Sequence, residues 1–209
     1  MIDSHRTQAR QGNNYTSRSC ALLLTAALVG VASSRPAASQ QNSTAAPKLA
    51  GTEIAPRGHR EVKDIAYGDW KKLCFKPGAA KMICRTSITG TFTTGQVAVR
   101  VDVVEREGNG NARLQVFSPV GMYLPKPIQL TIDQGEAHSV PYTWCLTNAC
   151  IAGAVAAPKM IEEMASGQTL RLEFVDSSLL TLMTSLPLGQ FTSVYKGAPS
   201  QTFEQDINE

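Results

Sequence analysis

The stretch "QVAVRVDVVEREGNGNARLQVF", residues 96–117, limits what this chain can fold into more than any other part of its 209 residues. Val97, Val99, Val101 and Val103 recur at every second position with Arg100 and Asp102 between them. A period of two places the valines on one face of a strand and the charged residues on the other. The Gly and Asn residues of "EGNGN" (107–111) then interrupt the pattern, and "RLQVF" (113–117) resumes it. Two alternating runs around a Gly/Asn turn predict a hairpin whose valine face turns to a core.

The same reading predicts strands at 69–75, 82–88, 128–132, 137–144, 169–175, 179–186 and 191–195. Many short strands separated by turn residues point to a mainly β sandwich or barrel. One helix is expected among them, in "APKMIEEMASG" (157–167). Pro158 suits a first helical position, and Gly167 stands where a C-terminal cap belongs. Met160, Ile161, Met164 and Ala165 share one side, a spacing that speaks for core packing, while Glu162 and Glu163 face outward. Adjacent helical carboxylates do not converge on one point, so the pair is read as a solvated face and not as an acid and a base.

The N-terminus reads as an address. Arg6, Arg10 and Arg18 precede the apolar run "CALLLTAALVGVA" (20–32), and small residues follow up to "AASQQ" (37–41). This is the pattern of a secretory signal peptide, expected to span 1–39 and to be cut after Ser39, with Ser33 and Ser34 as neighbouring choices. The thirteen apolar residues fall short of the roughly 20 that cross a bilayer, so no transmembrane segment is expected after cleavage. "RSC" lacks the lipoprotein pattern, and Cys20 is discarded with the signal.

Cleavage changes two further readings. The whole chain holds 20 basic and 17 acidic residues, but the signal carries Arg6, Arg10, Arg18 and Arg35 against Asp3 alone, which leaves 16 of each. A balanced charge argues against a nucleic-acid partner, whose binding surface is a basic domain. Four cysteines remain, Cys74, Cys84, Cys145 and Cys150. In an oxidising compartment an even number reads as disulfides, and four cysteines leave three pairings open. The tightest local scheme, Cys74 with Cys84 and Cys145 with Cys150, is the one expected. Neither spacing matches a zinc knuckle or a C-x-x-C redox motif.

Residues 40–61 and 199–209 are rich in small and polar residues without a hydrophobic period, and are read as a flexible leader and a C-terminal tail. The domain is expected between them, at 62–198, long enough for a core of its own.

Catalytic signals are scarce. His59 falls in the leader, and His138 lies in a strand without a nucleophile motif in the chain, so a surface or hydrogen-bonded histidine is the expected role. Asp69, Asp133 and Asp176 sit where strands meet turns, positions at which Asp serves backbone hydrogen bonds. Phosphate loops, H-E-x-x-H and calcium loops do not occur in the sequence. The expectation is a non-enzymatic protein without metal or cofactor, and Tyr123, Tyr142 and Trp144 are the candidate contact residues for a protein or envelope partner.

"YGDW" (67–70), "PVGMYLPKPIQLTID" (119–133), "YTWCLTNACIA" (142–152) and "LPLGQF" (186–191), in this order and behind a signal peptide, resemble the invasion-associated locus B (IalB) family of exported proteins of Gram-negative bacteria. The resemblance covers about residues 62–198. Tyr67 and the Met122–Tyr123 pair depart from the family's usual F-G-D-W and G-V-x-L-P. It implies an immunoglobulin-like antiparallel β-sandwich, a periplasmic or outer-surface location and, in some pathogens, a contribution to entry into host cells. It supplies no catalytic residues, and relatives also occur in bacteria that invade nothing. The alternatives are an accessory or structural role in the cell envelope and, behind it, an enzyme whose site, assembled by folding, the sequence does not reveal.

Overall fold

The computed structural model describes residues 54–205. The expected signal peptide, and the leader as far as residue 53, lie outside the described residues. Two β-sheets enclose one core. In chain order the elements are β1 (Gly58–Glu61), β2 (Ile65–Tyr67), β3 (Lys71–Pro77), β4 (Ile83–Phe92), β5 (Val97–Arg106), β6 (Ala112–Ser118), β7 (Ile128–Ile132), β8 (Ala137–Val140), β9 (Tyr142–Cys145), β10 (Cys150–Ala156), α1 (Pro158–Ser166), β11 (Thr169–Val175), β12 (Leu180–Pro187), α2 (Phe191–Lys196) and β13 (Gln201–Gln205). The small sheet runs β1-β12-β11-β7-β8. The large sheet runs β13-β3-β4-β5-β6-β10-β9, with β2 also paired to β4.

The hairpin expected at 96–117 is the centre of the large sheet. Val101 lies opposite Val116, and Val103 opposite Leu114. Val99, Val101 and Val103 are buried, and they pack with Leu130, Leu170 and Leu172 of the small sheet. Apolar side chains on the inner face of each sheet thus leave water together, which is the main stabilising term of such a sandwich. Helix α1 forms as expected, with Pro158 in its first turn and Met160 and Met164 buried, and the Gly167 N–H donates to Glu163 O.

Several expectations are corrected. "FTSVY" was expected as a strand because of its aromatic and β-branched residues, but it forms α2, a second helix. Its apolar residues Phe191, Val194 and Tyr195 are spaced by three and four, so one helical face packs onto the core, with Phe191 fully buried. "AHSVPYTW" is two strands and not one. Pro141 has no N–H to give a ladder, and the chain leaves the small sheet after β8 and enters the large one with β9. The stretches read as leader and tail each contribute a strand: β1 pairs parallel with β12, and β13 pairs parallel with β3. These are edge strands held by backbone hydrogen bonds, so they need no hydrophobic period. The two parallel pairs also make the sandwich less than purely antiparallel. Val97, expected on the core face with the other valines, is exposed, because the register shifts between Gly90 and Thr91 and re-aims the start of β5; Asp102 lies on the face opposite the valines, as expected, and is 1 % exposed.

Candidate interaction surface at the stapled hairpin

Strands β9 and β10 form a hairpin whose tip is Leu146–Ala149, closed by the Leu146 N–H bonding to Ala149 O at 2.7 Å. Cys145 and Cys150 face each other across it, with their sulfurs 2.00 Å apart. Cys74 and Cys84 are likewise directly opposed, on β3 and β4, with sulfurs at 1.97 Å. The structure therefore pairs the four cysteines by the local scheme. Each pair ties two neighbouring strands, and Cys74 and Cys150 are buried.

The staple holds the hairpin tip over the outer face of the large sheet. A groove of about 240 Å³ opens there between the start of β5, the end of β6 and the tip, lined by Val97, Arg100, Phe117, Leu146, Asn148 and Ala149. Val97, Trp144 and Leu146 are each more than half exposed. Large apolar groups held in water beside a concavity are the usual mark of a partner site.

Register places the rest of that face. Asp102 lies between Ser87 on β4 and Gln115 on β6, Arg100 between Thr89 and Phe117, and Val104 between Arg85 and Arg113. The Arg100 guanidinium stacks on the Phe117 ring at 3.7 Å and its Nε stands 3.2 Å from Asp102 Oδ1. Burial pushes the Asp102 carboxyl above its ordinary value, and the positive charges of Arg100 and Arg85 pull it back. Gly153 leaves the room that Arg113 uses, since a Cβ there would come within 2.9 Å of Arg113 Nη2. Arg85, Arg100 and Arg113 against Asp102 alone make this part of the face basic, with apolar groups beside it. A second concavity of about 370 Å³, lined by Leu73, Phe75, Ile83 and Phe203 among others, lies on the β3–β4 side.

The three aromatic candidates do not converge. Trp144 is exposed opposite Ile151, next to the staple. Tyr142 packs against the core, and burial pushes its phenol up to about 12. Tyr123 is outside the groove, its N–H bonded to Val175 O at the end of β11. Val97, Arg100 and Phe117 escaped the sequence reading because their convergence depends on strand register, whereas the apolar Leu146 between two cysteines was a signal in plain view.

The remaining motif residues hold the fold. Trp70 Nε1 donates to Pro187 O at 2.8 Å, its ring meets Phe191 edge-on at 4.9 Å, and Gln190 Nε2 donates to Asp69 Oδ1 at 3.0 Å. "YGDW" and "LPLGQF", some 120 residues apart, thus clamp each other. Tyr67 reaches Thr184 Oγ1 at 2.7 Å by its hydroxyl. Asp133 accepts from the Gln168 and Thr169 N–H groups, and Asp176 from those of Ser178 and Leu180. His138 Nε2 lies 3.1 Å from Glu163 Oε2 and joins β8 to α1. His59 lies on β1, opposite Thr181 of β12. Among the described residues no group of His, Cys, Asp or Glu is arranged to hold a metal ion, and no helix is long and apolar enough to cross a membrane.

Fold and surface together define a class: a small β-sandwich stapled by local disulfides, with an apolar and basic outer face beside a rigid hairpin. Residues 70–199, more than half of the chain, match the family described as "Invasion associated locus B (IalB) protein", and the chain belongs to that family. The crystal structure of invasion associated protein B from Bartonella henselae is similar to it, with 20 % identity and a TM-score of 0.53 over 62 % of this chain and 90 % of that one. At that identity the likeness is one of fold. No curated protein matches the sequence.

Proposed function

We propose that this chain is an exported, non-enzymatic binding module of the invasion-associated locus B type, working in the periplasm or on the outer cell surface and engaging a protein or envelope partner through the groove beside the stapled hairpin. One observation carries the reading: Val97 and Leu146 line one groove and stand more than half exposed, Trp144 is equally exposed two residues before Leu146, and a disulfide holds the groove's lip in place. A rigid lip lowers the ordering cost of binding, and exposed apolar groups at a concavity supply contact area. Export is supported by the signal-like N-terminus and by disulfides of the kind that persist in oxidising compartments. A non-catalytic role is supported by the roles of Asp133, Asp176 and His138, each engaged in joining elements of the fold. The Bartonella protein carries invasion in its name; a contribution of this chain to host-cell contact is one form that the binding role takes.

The test is photo-crosslinking in intact cells, with a benzoylphenylalanine placed at Leu146 or, as a control on the far sheet, at Ser185. A defined adduct from position 146 that is absent from position 185 is expected. Equal labelling from both, or none from either, removes the groove from the account.

A further inference from the structure

Four strands end the two sheets' orders, and three of them carry features that block further pairing. β1 is four residues long and includes Arg60 and Glu61. β8 has four residues, runs into Pro141 and is tied to α1 through His138 and Glu163. β9 has four residues, follows Pro141 and faces a register irregularity between Ile151 and Ala152. β13 lacks the proline, the register irregularity and the tie to a helix, and its one charged residue is Glu204. Its sequence, Gln-Thr-Phe-Glu-Gln, lacks Pro, Lys and Arg, its register with β3 is unbroken over five residues, and all five are exposed.

The direction of its backbone groups follows from the ladder. The Gly78 N–H donates to Gln205 O, as expected where Gln205 pairs with Pro77 in a parallel ladder. Alternate residues of such a strand turn both N–H and C=O to the same neighbour. Gln201, Phe203 and Gln205 therefore bond to β3, while Thr202 and Glu204 present their backbone groups to the free edge. The side chain of Phe203, 46 % exposed, shares the outer face with Phe75, its pairing partner on β3.

We propose that β13 is the contact through which two copies of this chain join, antiparallel about a two-fold axis at Phe203. In that register Thr202 and Glu204 exchange backbone hydrogen bonds with the partner's Glu204 and Thr202, and Phe203 meets the partner's Phe203 in the closer, non-hydrogen-bonded position. Each Glu204 lies opposite a threonine, whereas a parallel in-register pairing would set Glu204 against itself. The large sheet becomes continuous across the axis, and Phe75 and Phe203 of each copy form one aromatic row. A contact of two short strands is smaller than a standard interface, so the association is a weak one.

Sedimentation of the exported form at concentrations up to about 1 mM, with Thr202→Pro and Phe203→Cys variants, tests the proposal. The wild type is expected to show a monomer–dimer equilibrium. Thr202→Pro removes an N–H that faces the edge and not β3, so it should weaken dimerisation at least about tenfold at an unchanged melting temperature. Phe203→Cys should form a disulfide-linked dimer under mild oxidation at least about tenfold faster than a Ser185→Cys control. A wild type that stays monomeric to about 1 mM, or a dimer that Thr202→Pro leaves intact, overturns the assignment. If Thr202→Pro melts lower, the crosslinking rate decides, and linkage no faster than the control refutes it.

Discussion

Replacing Arg100 with alanine probes the outer face at its most sensitive point. Asp102 is 1 % exposed and the Arg100 side chain 32 %, with Nε and Oδ1 3.2 Å apart. Removing one partner of a fully buried ion pair costs about 3–5 kcal/mol. Arg100 keeps a third of its side chain in water and Arg85 remains to offset the carboxylate, so the cost at pH 7 should be about 2–3 kcal/mol. Of this, about 0.5–1 kcal/mol belongs to the contact with the Phe117 ring and does not depend on protonation. Burial already raises the Asp102 pKa, and losing Arg100 raises it further. A carboxyl whose folded-state pKa lies above its unfolded value gives stability that is fully present below the unfolded pKa and is lost as pH rises through the folded one. The deficit of Arg100→Ala should therefore be largest at neutral pH and should fall toward the ring term on acidification to about pH 3.5. Urea unfolding at both pH values measures it, with Val101→Ala as a control whose cavity cost does not titrate. Equal deficits for Arg100→Ala at both pH values would show that packing, and not the buried charge, is what Arg100 supplies.

Three further outcomes are expected. Cys145→Ser with Cys150→Ser should lower stability by about 2 kcal/mol and Cys74→Ser with Cys84→Ser by slightly more, as the closed loops of 5 and 10 residues' separation require, which denaturant melts can check; a loss above about 5 kcal/mol would mean that the staples do more than restrict the unfolded chain. Trp70→Phe breaks the bond to Pro187 O and underfills the site against Phe191, so a loss of about 1–3 kcal/mol is expected in thermal unfolding, against none if the two motifs do not clamp each other. Gly90→Val sets a Cβ within 2.6 Å of Ile65 Cγ2 and 2.7 Å of Tyr67 Cε1, so it should cost about 1–3 kcal/mol and loosen β2, read as faster amide exchange at Ile65 and Tyr67.

How much of this was legible depended on where each element gets its stability. β5 and β6 write their burial into the sequence as a period of two, and α1 writes its own as spacings of three and four with Pro158 and Gly167 at its ends. β1 and β13 are stabilised by a neighbour's backbone, which leaves no period, so a compositional reading took them for leader and tail. α2 was misread because Phe, Thr, Val and Tyr favour strands, while its short helix is fixed by Phe191 entering the core beside Trp70. The burial of Asp102 was not legible because alternation assigns faces and cannot say that the outer face is itself covered by arginines, Gln115 and Phe117. The two cysteine pairs follow from hairpin proximity, which spacing suggests, but the groove they support draws residues from β5, β6 and the hairpin tip, and only the register brings those together.

The central claim is that the groove beside the stapled hairpin holds the partner. Its most direct test is to measure the affinity of the species crosslinked at position 146, by biolayer interferometry, for Trp144→Ala, Leu146→Asp and the far-sheet control Arg171→Ala. Trp144 and Leu146 are 54 % and 55 % exposed, so their variants should keep the wild-type melting temperature. The account predicts at least about a tenfold loss of affinity for each of these two and none for Arg171→Ala. Unchanged affinity for Trp144→Ala and Leu146→Asp, at unchanged stability, would contradict it.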